Sequence, residues 1–198
     1  MNLRVPAIVC AVRTHGETGA VVRLLTEQHG LLAGYVRGGR SRRLRPVLMP
    51  GNEVVGELRA RVETQLPALT VELTASRAAL LGEPLSAAAI EWATALVAAA
   101  LPEAHPYARV YQALDGLLTA VALSPAARAW AGGLVGYERT VLAELGFGLE
   151  QAEGERLFEA LRTNGDRLAG DLLQGRAAGT LDARDRLITR LRRALLPA

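Results

Sequence analysis

Chemistry in this chain is concentrated in one stretch, Tyr35-Val-Arg-Gly-Gly-Arg-Ser-Arg-Arg-Leu-Arg45. Five arginines (Arg37, Arg40, Arg42, Arg43 and Arg45) fall within nine residues, and no acid lies between Glu27 and Glu53. A guanidinium is a permanently charged planar fork that grips a phosphate with two hydrogen bonds and stacks on a base. A cluster of them neutralises neighbouring phosphates and releases condensed counterions. Gly38 and Gly39 inside the cluster let the backbone approach a ligand closely. The stretch lacks the Gly-Lys-Ser/Thr ending and helix-opening context of a nucleotide P-loop. Two readings stand: a clamp on a nucleic-acid backbone, or a solvated arginine-rich loop with no partner. Tyr35, the single aromatic of the first eighty residues, reads either as a stacking platform or as a core residue. One tyrosine is few for base readout, so binding would run through phosphates with little sequence preference.

A second basic feature lies near the C-terminus. Arg186, Arg190 and Arg193 recur at i, i+4 and i+7 beside an apolar stripe of Leu187, Ile188, Leu191 and Leu195, and Arg184 and Arg192 add to the charge. This face is either a second DNA contact or a solvated surface whose cations favour a helix C-terminus. Elsewhere the constellations of catalysis are missing. His15, His29 and His105 sit in turn-like contexts without metal-ligand spacing. Cys10 lies in a β-rich run and reads as a buried thiol; alone, it forms neither an intrachain disulfide nor a multi-cysteine zinc site. Neither a nucleophile elbow nor a dinucleotide fingerprint occurs. The expectation is a protein without catalysis, metal or cofactor.

The elements that must position these residues follow from charge and periodicity. The 198 residues are 50% hydrophobic and 22% charged, an ordinary globular balance. All 23 cations are arginine. Residues 1–80 hold eleven of them against six acids, 81–150 three against seven, and 151–198 nine against seven. A basic front and an acidic middle suggest two modules with different partners. The longest uncharged run, Gly116 to Ala127, is too short to span a bilayer, and no signal-peptide pattern opens the chain. No membrane and a cytoplasmic location are expected.

Five candidate strands, Val5–Val12, Ala20–Thr26, Leu31–Val36, Asn52–Val62 and Leu66–Leu73, are separated by turn signals at His15-Gly16-Glu17, Gln28-His29-Gly30 and Pro50-Gly51. That spacing predicts a small barrel or sandwich. From about Ser76 the period becomes helical. A helix capped by Ser86 runs to Ala100 before Pro102, and a second covers Tyr107 to Val121. A third opens at Ser124-Pro125 and ends at Gly146. Further helices fit 152–163, stopping at Asn164-Gly165, then 166–174 and 180–195. The expected domains are 1–78 and 79–198.

The segment Arg13–Gly51, from Arg13-Thr-His-Gly-Glu-Thr-Gly through Gly34-Tyr-Val-Arg-Gly-Gly-Arg to Pro50-Gly51, resembles the N-terminal domain of the bacterial RecO family. Leu66-Pro-Ala-Leu-Thr-Val-Glu-Leu73 is similar to that family's last barrel strand. Tyr137-Glu-Arg-Thr-Val-Leu-Ala-Glu-Leu-Gly-Phe-Gly148 resembles its central helix, and 168–196 its final helices. The resemblance implies an α+β protein: a five-stranded OB-fold barrel followed by an α-helical domain. It implies a non-catalytic recombination and repair mediator that binds single- and double-stranded DNA and anneals complementary strands. It further implies assembly with RecR, contact with the C-terminal tail of single-stranded-DNA-binding protein (SSB), and help in loading RecA. It places DNA contact on Arg37, Arg40, Arg42, Arg43 and Arg45 as members of the basic loop. Many members carry a four-cysteine zinc module after the Leu-Gly-Phe/Tyr-Gly segment. Here residues 149–153 contain no cysteine, so neither module nor metal is expected.

An acidic tail with an apolar end requires an apolar pocket rimmed by cations. The acidic middle offers Arg109, Arg128 and Arg139. Arg128 and Arg139, eleven residues apart on one expected helix, would share a face. They are expected either to flank an SSB-tail groove or to be ion-pair partners, Arg139 with Glu138 or Glu144. Two rival functions remain. A helical transcription regulator needs a helix-turn-helix near its start, where Val5–Val12 reads as strand. A protein-only adaptor would lack salt-dependent DNA binding.

Overall fold

The computed structural model of the chain describes residues 2–60, 65–148, 154–175 and 179–196. The chain forms two compact units. One runs to Gly82 and includes Pro102–Ala108; the other comprises Glu83–Leu101 and the chain from Arg109 onward.

The first unit is a closed five-stranded barrel: β1 (Asn2–His15), β2 (Gly19–Thr26), β3 (Gly30–Val36), β4 (Glu53–Arg59) and β5 (Ala68–Ala75), in the order β1-β2-β3-β5-β4. This is the OB-fold expected from the resemblance. β1 is long enough to serve both sides of the closure. Its first half pairs with β4, from Asn2↔Arg59 to Ile8↔Glu53. Its second half pairs with β2, from Ile8↔Leu25 to His15↔Gly19. Register shifts between Val9 and Ala11, and the bulge there bends the strand around the barrel. Alternation then sorts the side chains: Val5, Ala7, Val9, Val22, Leu24, Val36, Val54, Leu58 and Leu69 fill the interior. Cys10, at the bulge, is buried as expected, and desolvation pushes its thiol up to about 12. Between β3 and β5 the single registered pair is the parallel Tyr35↔Ala68.

The second unit holds five helices: α1 (Pro84–Ala100), α2 (Ala108–Leu123), α3 (Ala131–Glu144), α4 (Leu157–Arg167) and α5 (Thr180–Leu195). α1 packs on α5 and α3 on α4. Trp92, Leu96, Leu114, Leu118, Trp130, Leu134, Tyr137 and Leu187 are buried.

Several helix boundaries differ from the sequence expectation, each for a local reason. α1 begins two residues before Ser86, because Pro84 supplies the fixed φ of a first helical position; Ser86 is buried inside the first turn. Ser124-Pro125 does not open α3. The Ser124 hydroxyl accepts the Ala126 N–H at 3.2 Å, a 3-10 turn covers Ala127–Ala129, and Trp130 breaks the path with φ −130° before α3 starts. Asn164-Gly165 does not end a helix. α4 runs through it to Arg167 and continues as a π-helical turn, Leu168–Leu172. The positions where a family zinc module would depart, 149–153, lie outside the described residues.

Candidate nucleic-acid interface

The basic loop between β3 and β4 is short helical turns rather than slack chain. Leu44 N–H and Arg45 N–H donate to Ser41 O at 3.2 and 3.0 Å, and Leu48 N–H to Leu44 O at 3.0 Å. One turn of this spacing puts Leu44, Val47 and Leu48 on one side, where they pack against the barrel core. Leu48 is 2% exposed, a burial that contributes about 1.5–3 kcal/mol to holding the loop. Arg42, Arg43 and Arg45 are left exposed.

The base of the loop is pinned by Asn52, fully buried. Its amide donates to Pro46 O at 2.8 Å and Val47 O at 3.1 Å, while its Oδ1 accepts the Arg77 N–H at 2.8 Å. Arg77 donates to Gly51 O and pairs with Glu53. At the other end Arg40 is a fastener: its N–H donates to Thr18 O at 3.1 Å and its guanidinium to Glu17 O at 2.8 Å. The two glycines differ in role: Gly39 is buried against Ala20 of β2, while Gly38 takes a left-handed turn at φ +67° with open space around it.

Charge on this unit is sorted. Arg4, Arg23, Arg59 and Arg77 each have a carboxylate: Glu72, Glu103, Glu57 and Glu53. The Arg59 hydrogen bond holds the Glu57 carboxyl below its ordinary range. Among the described residues, Arg13, Arg37, Arg42, Arg43 and Arg45 have no carboxylate within 4 Å. Their field is therefore unneutralised and available to phosphates. Arg37 and Arg43 also edge a recess of about 350 Å³ at the β3–β5 seam, floored by Val36, Leu44, Leu69 and Val71.

Tyr35 is half-buried and belongs to the outer face, not the core. Its neighbour there is His15, with ring centroids 5.7 Å apart and planes at 78°. In sequence His15 looks like a turn residue, and Arg13 stands outside the basic cluster. The available signal was the hairpin register: a turn at 16–18 sets His15 opposite Gly19 and Arg13 opposite Val21, which itself faces Tyr35.

In the helical unit, several arginines counted as surface charge are spoken for. Arg184 is buried, with Nε and Nη2 donating to Glu138 Oε1 and Oε2 at 2.8 and 3.0 Å. The Glu138 side chain is 0% exposed and also accepts Trp92 Nε1 at 3.0 Å and Asn164 Nδ2 at 3.1 Å. Gly165 leaves the room that the Arg184 guanidinium occupies. Arg139 donates to Asn164 Oδ1 at 3.3 Å and pairs with Glu155, not with Glu138 or Glu144; Glu144 pairs with Arg109. Arg128 lies in the 3-10 turn, so it does not share a helix with Arg139. On α5, Arg186 pairs with Glu91 of α1, Arg190 is half-buried, and Arg193 is exposed. Arg192 lies over the Phe158 ring at 5.9 Å.

A zinc of the kind many family members carry does not fit this chain. The sole cysteine is buried in β1, and among the described residues no three His, Cys, Asp or Glu side chains gather to hold an ion. No helix among the described residues is long and apolar enough to cross a membrane.

Two family models match the chain: Recombination protein O N terminal over residues 1–77 and Recombination protein O C terminal over 82–163. A DNA repair protein RecO from Phenylobacterium zucineum is 40% identical over 151 residues, 76% of this chain and 61% of the relative. Its counterpart in Rhodospirillum centenum is 46% identical over 145 residues, 73% of this chain and 56% of the relative. That of Caulobacter vibrioides strain NA1000 is 41% identical over 145 residues, 73% and 58%. The chain thus spans about three fifths of the length of these curated relatives.

Proposed function

The chain belongs to the RecO family, and from that premise we propose that it is a non-catalytic DNA repair protein that holds DNA by its phosphates on the β3–β4 loop. The observation that carries this is the set of loop arginines (Arg37, Arg42, Arg43 and Arg45) without carboxylate partners among the described residues, on a loop anchored by Leu44, Leu48 and Asn52. A loop already folded loses little conformational freedom on binding, so most of the phosphate attraction survives as affinity. Single and double strands share that backbone, and both are bound. Two strands brought to one cationic surface repel each other less, and their base edges stay free to pair; this is how binding becomes annealing. Arg190 and Arg193 of α5 supply a second contact, while Arg186 is shared with Glu91.

In this reading the protein works in the cytoplasm beside the nucleoid, with RecR, the SSB tail and RecA as partners. Arg128 and Arg139 stay as candidates for the tail, Arg128 the freer of the two because Arg139 is held by Glu155 and Asn164.

The test is binding to random-sequence single-stranded DNA across a salt series. Engagement of about 3–5 phosphates gives a slope of log K against log salt of roughly −2 to −3.5. Arg42→Glu with Arg43→Glu weakens every sequence alike. A flat salt response defeats the reading and favours a protein-only adaptor.

A further inference from the structure

The outer face of β1–β3 carries an arrangement that a phosphate clamp does not require. Tyr35 and His15 form an edge-on ring pair there, with centroids 5.7 Å apart. Gly19 stands opposite His15 in the register, and any Cβ at that position would overlap the Tyr35 ring. The tyrosine therefore lies across the sheet over Gly19 instead of standing up from it, with His15 walling one edge. His15 is exposed and Tyr35 is half-buried. Arg13 stands opposite Val21, and Val21 opposite Tyr35, so Arg13 shares this face two strand spacings away, about 10 Å. Arg13 and Arg37 are both exposed and lack a carboxylate within 4 Å among the described residues.

We infer that Tyr35 and His15 are a stacking site for one unpaired nucleobase, with Arg13 and Arg37 on the phosphates to either side. This inference rests on the DNA-binding reading of the adjacent loop and sharpens its substrate: the face prefers a single strand to a duplex. A flat ring bordered by unneutralised cations offers the two things a single strand presents together, a π-face and a flanking phosphate. In a duplex the faces of the bases are covered by their neighbours, and the rings gain nothing. Stacking tolerates any base, because every base has a π-face, so the preference is for strandedness and not for sequence.

The experiment measures affinity of the whole chain for three probes of equal length: a mixed-sequence single strand, its duplex, and a strand of abasic sites that keeps the phosphates and lacks the bases. The expected result is that Tyr35→Leu weakens single-strand binding by roughly 5- to 150-fold, the range set by loss of one base–aromatic stack. Binding of the duplex and of the abasic strand changes less than about twofold. Tyr35→Phe keeps the single-strand affinity. His15→Ala, an exposed change that leaves the barrel core alone, lowers it on the natural strand only, and this holds the test if Tyr35→Leu fails to fold. An abasic strand bound as tightly as the natural one overturns the stacking site, as does a Tyr35→Leu effect equal on all three probes or absent from all. In those cases the phosphate reading still stands if Arg42→Glu with Arg43→Glu loses all three. Failure of the unaltered protein to bind any probe overturns both.

Discussion

The arginines of the barrel loop and those at the centre of the helical unit are the same side chain put to opposite uses. In the loop, Arg42, Arg43 and Arg45 are exposed, and the nearest sequence acids are Glu27 and Glu53. Among the helices, Arg184 and Arg139 are enclosed by Glu138, Glu155 and Asn164. A buried guanidinium requires a carboxylate and a full set of acceptors, because desolvating it alone costs several kcal/mol. An exposed one keeps its water until a phosphate replaces it. The comparison teaches that the acids within reach, rather than the arginine count, separate an exposed cation from a structural one. Glu138 of the acidic middle consumes Arg184, and Glu155 consumes Arg139.

The strongest way to break this contrast is Arg184→Ala. It strands the fully buried Glu138 and should destabilise the helical unit by about 3–5 kcal/mol. Both tryptophans, Trp92 and Trp130, lie in that unit, so denaturant unfolding followed by indole fluorescence reads it selectively. Pairing Arg184→Met with Glu138→Gln should recover more than half of the loss. A single-variant effect below about 1 kcal/mol would show that the network is not structural.

In the barrel, Cys10 offers the next test. With the thiol near 12 instead of 9.0, its ionised fraction at pH 8 is about a thousandfold smaller than an ordinary cysteine's. Alkylation should be slower by at least that factor until the barrel unfolds. The folded value is raised, so the contribution to stability is complete below pH 9 and is lost above it, at about 1.4 kcal/mol per pH unit, as only the unfolded chain ionises. Cys10→Ala should remove that slope from a pH series of melting measurements.

Leu48→Ala should cost about 2 kcal/mol, the low end for a buried leucine because a surface loop can settle into the space. It should also weaken DNA binding by loosening the arginines it holds, which circular dichroism melting and anisotropy titration together would show. The smallest effect on stability belongs to Arg42→Glu with Arg43→Glu, within about 0.5 kcal/mol. The same pair should reduce the salt slope by about 1.4, since each phosphate contact on a single strand contributes roughly 0.7.

The five strands and the basic loop were legible because alternation and turn residues are local signals. So was the exposure of Arg42, Arg43 and Arg45, since acids are missing from the surrounding sequence. The ring pair was not, because His15 meets Tyr35 only through the pairing of three strands. Asn164-Gly165 misled for a related reason. Its residues are those of a helix stop, yet the amide satisfies Glu138 and Val135 O, and the glycine admits Arg184. Burial of polar partners from other helices overrode local propensity there. Arg184 was misread as surface charge because its partner lies 46 residues away.

The single Tyr35↔Ala68 pair at the β3–β5 seam bears on how the barrel assembles. That pair closes an excursion from residue 35 to residue 68, the least local step among the barrel's registered neighbours except the β1–β4 closure. Non-local closures of this kind slow folding, because chain entropy is lost before contacts compensate. The hairpins β1–β2–β3 and β4–β5 can each form early. Leu44 and Leu48 of the arginine loop dock into the core inside that excursion, so docking of the loop before the seam closes would shorten the remaining search. With that docking the exposed arginine loop is also a kinetic latch, and amides along the seam should be among the first of the barrel to exchange with solvent deuterium.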